Sequence, residues 1–164
     1  MGVKRKSSRN LISYLKSKEG FKAQVYNDLA GYPTVGYGHK LTQAEIADQT
    51  FGAGVTQAQA VKLLKLDLIP TEKTVNHGVK VPINQNQFDA LVDFTYNVGS
   101  GNFLTSTALK KVNAANWAEV ADALALFNKV TVNGKKVVSK GLAQRRAEEG
   151  EIFNAPPGTW PDFG

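Results

Sequence analysis

The chain has 164 residues, a net charge of +6 and no cysteine. Its length suits one domain, or a small and a larger lobe that share a core. The lack of cysteine excludes disulfides, zinc–thiolate sites, iron–sulfur clusters and a thiol nucleophile. An apolar fraction of 42% with 21% charged residues is typical of a globular chain. We expect no metal site and no cofactor.

Positive charge is concentrated at the N-terminus. Four of the six net charges come from Lys4, Arg5, Lys6 and Arg9, so the rest of the chain is only about +2. A nucleic-acid-binding protein usually spreads basic residues along a helix or groove, interleaved with aromatic residues, and this chain does not. We therefore predict a basic tail over residues 1–10 and no nucleic-acid partner.

No stretch of the chain is long and apolar enough to predict a transmembrane helix. The apolar residues that follow the basic start, Leu11, Ile12 and Leu15, are too few and too interrupted by polar residues for a signal peptide. We expect a protein made in the cytoplasm, with no export signal of its own and no integral membrane segment.

The first third of the chain predicts a helix followed by a small antiparallel sheet. Ser7 or Ser8 caps the helix, whose apolar face continues to Glu19, and Gly20 ends it. Residues 21–26 alternate between apolar and polar, and residues 34–38 form a second strand softened by glycine, with turn residues between the two.

The remainder is predominantly helical. Pairs at capping-box spacing predict four helix starts: Thr42 with Glu45, Thr56 with Gln59, Asn84 with Gln87, and Asn116 with Glu119. Pro70 should kink or end its helix. Asn133-Gly134 between two β-rich runs predicts a hairpin, and a last helix spans residues 141–153. The predicted fold is α+β, with one domain over 11–164. Its sheet lobe covers about 20–55 and its helical lobe about 56–155.

Glu19 is a candidate general acid. A carboxyl group at the C-terminal end of a helix meets the negative end of the helix dipole, and on an apolar face it is partly desolvated. Both effects should raise its pKa, so that it can donate a proton near neutral pH. Taken alone, such a residue is more often a solvated glutamate at a helix end.

Asp28 and Thr34 are candidates for the other parts of a glycosidase site. Asp28 lies in a polar turn and should stay ionised, and Thr34 on the following strand can hold a water molecule. Either residue alone is more often structural. His39 has no metal-ligand partner at a suitable spacing and is predicted to be structural. Arg145, Arg146 and the glutamates after them indicate a solvated helix face.

Together, the residues form a more specific pattern. Glu19-Gly20, Asp28, Thr34 and the run Val35-Gly36-Tyr37-Gly38-His39 resemble the catalytic motif of phage T4-type lysozymes, the endolysins of glycoside hydrolase family 24. Residues 94–103 and 141–148 resemble the second and third blocks of that family. The resemblance implies a lysozyme-like fold and hydrolysis of the β-1,4 bond between N-acetylmuramic acid and N-acetylglucosamine in bacterial peptidoglycan.

The resemblance also implies residue roles. Glu19 would be the general acid, Asp28 would stabilise positive charge at the anomeric carbon, and Thr34 would place the attacking water, which favours inversion. Tyr96, Asn97 and Ser106 would contact the glycan, and Arg145 or Arg146 would bind near Glu19. The family further implies that the protein reaches the cell wall through a holin-type pore. We also expect a monomer.

Other functions remain open from the sequence. A lytic transglycosylase uses one acidic residue and no water, and a degenerate domain of this kind would bind glycan without cleaving it. DNA binding through the tail would be strongly dependent on salt. Membrane disruption by the basic segments lacks the long cationic amphipathic helix that would support it.

Overall fold

The computed structural model describes residues 4–164 of the chain. They form two compact units: residues 9–69 are one, and residues 70–164 with the segment before residue 9 are the other. Small antiparallel sheets and a larger number of helices confirm the predicted α+β class. Within the described residues, no helix has both the length and the apolarity that crossing a membrane requires.

The unit of residues 9–69 carries a three-stranded sheet between helices. Its elements are α1 (Arg9–Glu19), β1 (Lys22–Asn27), β2 (Pro33–Gly36), β3 (His39–Lys40), α2 (Gln43–Ala47) and the first half of α3 (Gln57–Gly78). The strands are antiparallel in the order β1-β2-β3, with Tyr26 opposite Thr34 and Val35 opposite His39. β2 is central and buried, whereas β1 is an exposed edge strand. The alternation in residues 21–26 therefore predicted the strand correctly but not a buried face.

Local signals set the ends of several helices as predicted. The backbone N–H of Gly20 donates to the Lys16 carbonyl at 3.0 Å, directly after the last residue of α1. Both reciprocal bonds of the capping box form between Thr42 and Glu45 at the start of α2. The same pairs of bonds form at the starts of α3 and of α4 (Gln85–Val98).

Helix α3 continues through Pro70 and ends at Gly78. Leu64, Leu68 and Val75 follow one face of this helix and are at most 1% exposed. Burial of that face offsets the hydrogen bond that proline cannot donate, because tertiary packing outweighs local propensity. The sequence predicted that Pro70 would either kink or end its helix. The prediction that the helix ends there is wrong.

The second unit is built around α4. Its further elements are α5 (Ser100–Leu104), α6 (Thr107–Asn113), a 3-10 turn (Trp117–Glu119), α7 (Val120–Leu124), β4 (Lys129–Val132), β5 (Lys135–Val138) and α8 (Lys140–Asn154). Helix α8 packs against α4 and α7. The Phe94 ring meets the Phe127 ring edge-on at 5.1 Å. The predicted box at Asn116 does not form: the Glu119 N–H donates to the Asn116 main-chain carbonyl, and the Asn116 side-chain amide donates to the Glu119 carboxylate.

Strands β4 and β5 form the predicted hairpin. Val130 lies opposite Val137, and the two central turn residues, Asn133 and Gly134, have φ values of 50° and 78°. Two successive positive φ angles are those of a type I′ turn, for which Asn-Gly is the favoured pair.

Residues 5–8, part of the predicted basic tail, are hydrogen-bonded to the helical unit. The Arg5 backbone N–H donates to Asn76, and its guanidinium donates to the Ile83 carbonyl. The Ser7 N–H donates to Glu72, and Ser8 donates to Asp89. Residues 1–3 of the predicted tail lie outside the described residues.

Candidate active site

Glu19 is the last residue of α1, and its side chain is half-buried. Its carboxylate lies against Gly38, in the turn between β2 and β3: a Cβ atom at position 38 would be 2.7 Å from Glu19 Oε2. The Tyr37 ring packs against the Phe21 ring at 5.4 Å. The turn therefore restricts where the carboxyl group can lie, and only a glycine leaves room for it.

Gly38→Ala should lower both stability and activity. Position 38 has φ +78°, so any side chain costs about 1–2 kcal/mol of backbone strain, and the new methyl group would displace the Glu19 carboxyl. A displacement near 1 Å costs about 100-fold in rate. Gly134→Ala is the matched control, since it has the same φ but nothing within 4 Å. Melting temperature and wall-clearing rate would be measured for both. Equal activity in the two variants would contradict the assigned contact.

Asp28 is held in its turn by two backbone N–H groups. Its Oδ1 accepts from Ala30 and from Tyr32, both at 2.9 Å, and its Oδ2 lies 3.6 Å from Lys40 Nζ. The Tyr32 N–H contributes most, and the pKa of Asp28 is lowered from its ordinary value. Hydrogen bonds to the charged form stabilise it, so Asp28 is ionised at neutral pH. The predicted charge state of this residue agrees with its environment.

Thr34 and Asp28 are hydrogen-bonded to the same residue, Tyr32. Its hydroxyl donates to the Tyr32 carbonyl at 2.9 Å, while the Tyr32 N–H donates to Asp28. Thr34 is 2% exposed, so its oxygen, which still has acceptor capacity, is sheltered from bulk water. The sheet unit thus contains all three candidate residues. Asp28 and Thr34 are both hydrogen-bonded to the backbone of Tyr32, and Glu19 lies against the turn between β2 and β3.

His39 has a structural environment, as predicted. Its Nδ1 lies 2.8 Å from Asp67 and its Nε2 lies 2.9 Å from Glu45. Burial disfavours the charged ring, but the hydrogen bonds to Asp67 and then Glu45 outweigh it, and the pKa of His39 is raised. Burial raises the pKa of Asp67 despite this partner. Among the residues that the structure describes, no three His, Asp or Glu side chains form a group that could hold a metal ion.

The His39 contacts predict a pH-dependent contribution to stability. Because the pKa of His39 is higher in the folded chain than in the unfolded one, the stabilisation is complete below the unfolded pKa and is lost as pH rises through the folded pKa. His39→Asn should cost about 1–3 kcal/mol in mildly acidic buffer and less at alkaline pH. Melting curves of both proteins across this range measure the difference. A constant difference would show that the charge of His39 does not matter.

The residues expected to contact glycan belong to the helical unit. Tyr96 and Asn97 lie at the end of α4, where Asn97 is exposed and its side-chain oxygen accepts from Arg146 at 2.8 Å. Ser106 is 3% exposed; its hydroxyl caps α6 by accepting from the Leu109 N–H and donates to the Phe103 carbonyl. The glycan contacts of these residues stay a prediction, with the Ser106 hydroxyl already bound within the protein.

The prediction of a solvated charged face on α8 is wrong for its central residues, Arg146 and Glu149. Arg146 is 1% exposed and Glu149 is 0% exposed, and Arg146 Nε lies 2.7 Å from Glu149 Oε1. Arg145 donates twice to Asp93, which is fully buried. Burial, and then Asp93, raises the pKa of Glu149 well above its usual value. Burial opposes ionisation of Asp93, yet its hydrogen bonds from Glu149 and Arg145 lower its pKa.

Comparison with known protein families shows which family contains this chain. The model of the phage lysozyme family matches residues 16–149, which include all three candidate catalytic residues. The chain belongs to the phage lysozyme family. This confirms the predicted family and its lysozyme-like α+β fold.

Relatives of this phage lysozyme family member cover nearly its whole length. The SAR-endolysin of Pseudomonas phage phiKMV is 41% identical over 138 residues, which are 84% of this chain and 82% of that protein. The endolysin from Escherichia coli O157:H7 phage FAHEc1 superposes with a TM-score of 0.85 at 36% identity, covering 99% of this chain and all of that one. The muramidase domain of SpmX from Asticaccaulis excentricus gives a TM-score of 0.80 at 36% identity, covering 93% and 99%.

Proposed function

We propose that this chain is a phage endolysin that hydrolyses the β-1,4 bond between N-acetylmuramic acid and N-acetylglucosamine in peptidoglycan. One observation carries this function most directly. A half-buried glutamate at the end of α1, an ionised aspartate and a sheltered threonine hydroxyl occur together in one sheet unit of a phage lysozyme family member.

The proposed roles follow from the environment of each residue. Glu19 protonates the leaving glycosidic oxygen as the bond breaks. Asp28, ionised by its backbone hydrogen bonds, stabilises the positive charge that develops on the anomeric carbon. Thr34 donates to the Tyr32 carbonyl, so its oxygen is available to accept a hydrogen bond from the attacking water. The family resemblance supports glycan contacts by Tyr96, Asn97 and Ser106.

The use of a bound water predicts an inverting hydrolase. In this scheme Asp28 either accepts a proton from the attacking water or stabilises the developing positive charge. It forms no covalent bond to the sugar. Nuclear magnetic resonance of the freshly released reducing end should therefore show the α-anomer first. A β-anomer, or a glycosyl group trapped on Asp28, would show retention and a different role for this residue.

Product mass distinguishes hydrolysis from the transglycosylase alternative. Digests of purified peptidoglycan should contain ordinary reducing ends, because water is added across the bond. A product lighter by one water, the 1,6-anhydro sugar, would instead mean that the N-acetylmuramic acid closes on itself. Absence of any cleavage would favour a glycan-binding module.

We also propose that the chain acts as a monomer, is made in the host cytoplasm and reaches the cell wall through a holin-type pore. The family resemblance supports this route. Gram-negative cells expressing the chain alone should lyse only after chloroform opens the inner membrane. Spontaneous lysis without chloroform would contradict the need for a separate pore.

A further inference from the structure

The β4–β5 hairpin is exposed along its whole length. Every residue from Lys129 to Val138 is exposed, on both faces of the two strands. Hairpins in globular proteins usually bury one face, so exposure of apolar residues on both strands is unusual. The hairpin has a surface that the described part of the chain leaves uncovered.

One face of this hairpin carries three valines and one lysine. Cross-strand partners point to the same side of a sheet, as do residues two apart on one strand. Val130 pairs with Val137, and Val132 lies beside them opposite Lys135. These three valines are 41%, 42% and 49% exposed. The opposite face carries Thr131 and Lys136 with the remaining pair, and Val138 there is 60% exposed.

All the charged residues in and around the hairpin are basic. Residues 123–147 contain no aspartate or glutamate. Exposed lysines occupy both strands and the first position of α8: Lys129, Lys135, Lys136 and Lys140. In the described residues, no salt bridge joins any of these lysines to an acidic group, in contrast to Arg145 and Arg146 on the next helix.

The base of the hairpin is fixed to the core of its unit. The Ser139 N–H donates to the Asn128 carbonyl at 2.8 Å and closes the two strands. One residue earlier, the Phe127 carbonyl accepts from buried Arg146, and the Phe127 ring packs on Phe94. The hairpin is thus a preorganised projection, and ordering it on binding would cost little entropy.

We propose that the β4–β5 hairpin binds the surface of an anionic phospholipid bilayer. Valine side chains enter the boundary between headgroups and acyl chains, and lysine side chains, with long apolar stems, reach the anionic headgroups. Charge complementarity selects this partner, since four exposed lysines on and beside the hairpin, without acidic neighbours, repel a second copy of the hairpin. Such binding would hold the enzyme close to the membrane while the other elements remain free to act.

Vesicle sedimentation with the full chain tests this. Binding to vesicles of phosphatidylglycerol and phosphatidylcholine should be tight at low salt, weaken with added salt, and be much weaker with phosphatidylcholine alone. Exchanging Lys135 and Lys136 for Gln should weaken binding by about fivefold per lysine. The double change Val130→Thr and Val132→Thr, which keeps strand propensity, should weaken it several-fold at constant charge.

A control pair of exposed lysines lies on α3. Changing Lys62 and Lys65 to Gln alters the net charge equally and should leave vesicle binding within about twofold of the unmodified chain. Because the chain has no cysteine, Val132→Cys can carry an environment-sensitive dye, whose emission should shift to the blue on anionic vesicles. The same dye on Lys62→Cys should not shift. Cleavage of soluble glycan fragments by the hairpin variants should be unchanged, which separates this proposal from the hydrolase assignment.

Several results would overturn the lipid assignment. Equal binding to anionic and neutral vesicles would exclude the role of the lysines. If the valine variants bind as tightly as the unmodified chain and polyphosphate competes fully, the hairpin is a site for soluble polyanions. If sedimentation velocity shows a dimer that the valine variants lose, the face with the three valines belongs to a second copy of the chain.

Discussion

Replacing Glu19 by Gln should lower the rate of peptidoglycan hydrolysis by a factor of about 10²–10⁴. The amide has nearly the same shape as the acid but cannot give a proton to the leaving oxygen. Since Gln also fits the space that Gly38 leaves open, the fold should be retained. Clearing of chloroform-treated Gram-negative cells, followed by turbidity, measures the rate, and circular dichroism checks the fold.

Glu151→Gln is the matched control for this change. Glu151 is an exposed glutamate near the end of α8, and its replacement makes the same change in charge within the helical unit. We expect it to clear cells at the unmodified rate. If the Glu19 variant does so too, Glu19 is not the general acid. If both variants lose activity equally, the loss reflects net charge rather than proton donation.

Arg146→Met should be the most destabilising of the substitutions considered. Arg146 is 1% exposed, and its guanidinium binds Glu149, Asn97 and the Phe127 carbonyl. It also lies 5.1 Å from the centre of the Phe94 ring. Removing the guanidinium leaves the buried Glu149 carboxyl group and the Phe127 carbonyl without this donor, and each buried polar group left unsatisfied costs about 1–3 kcal/mol, so the total loss should be about 3–5 kcal/mol. The melting temperature should fall by about 10 °C or more.

Lys111→Met provides the comparison with an exposed pair. Lys111 Nζ lies 2.9 Å from Glu119, but the two side chains are 36% and 53% exposed. Water and salt screen such a pair, so its loss should change the melting temperature little. Thermal unfolding of both variants at two salt concentrations measures the difference. A similar loss in the two variants would mean that burial of Arg146 does not determine its contribution.

Local patterns in the sequence predicted the features that depend on a few neighbouring residues. Gly20 ends α1 directly after Glu19, the capping boxes at Thr42 and Asn84 start their helices, and Asn133-Gly134 makes the hairpin turn. Each of these involves hydrogen bonds or φ angles within about four residues. The charge state of Asp28 belongs to the same class, because its stabilising N–H groups come from its own turn.

Tertiary structure decided which charged residues are buried and which residues they bind. Arg146 and Glu149 have the i,i+3 spacing of an ordinary surface pair, and only the packing of α8 on α4 and α7 makes them interior. Arg145 reaches Asp93 across 52 residues of sequence, and His39 reaches Asp67 across 28. Helical periodicity shows which side chains share a face, but not what covers that face. Burial therefore followed from contacts between distant segments, which no local spacing encodes.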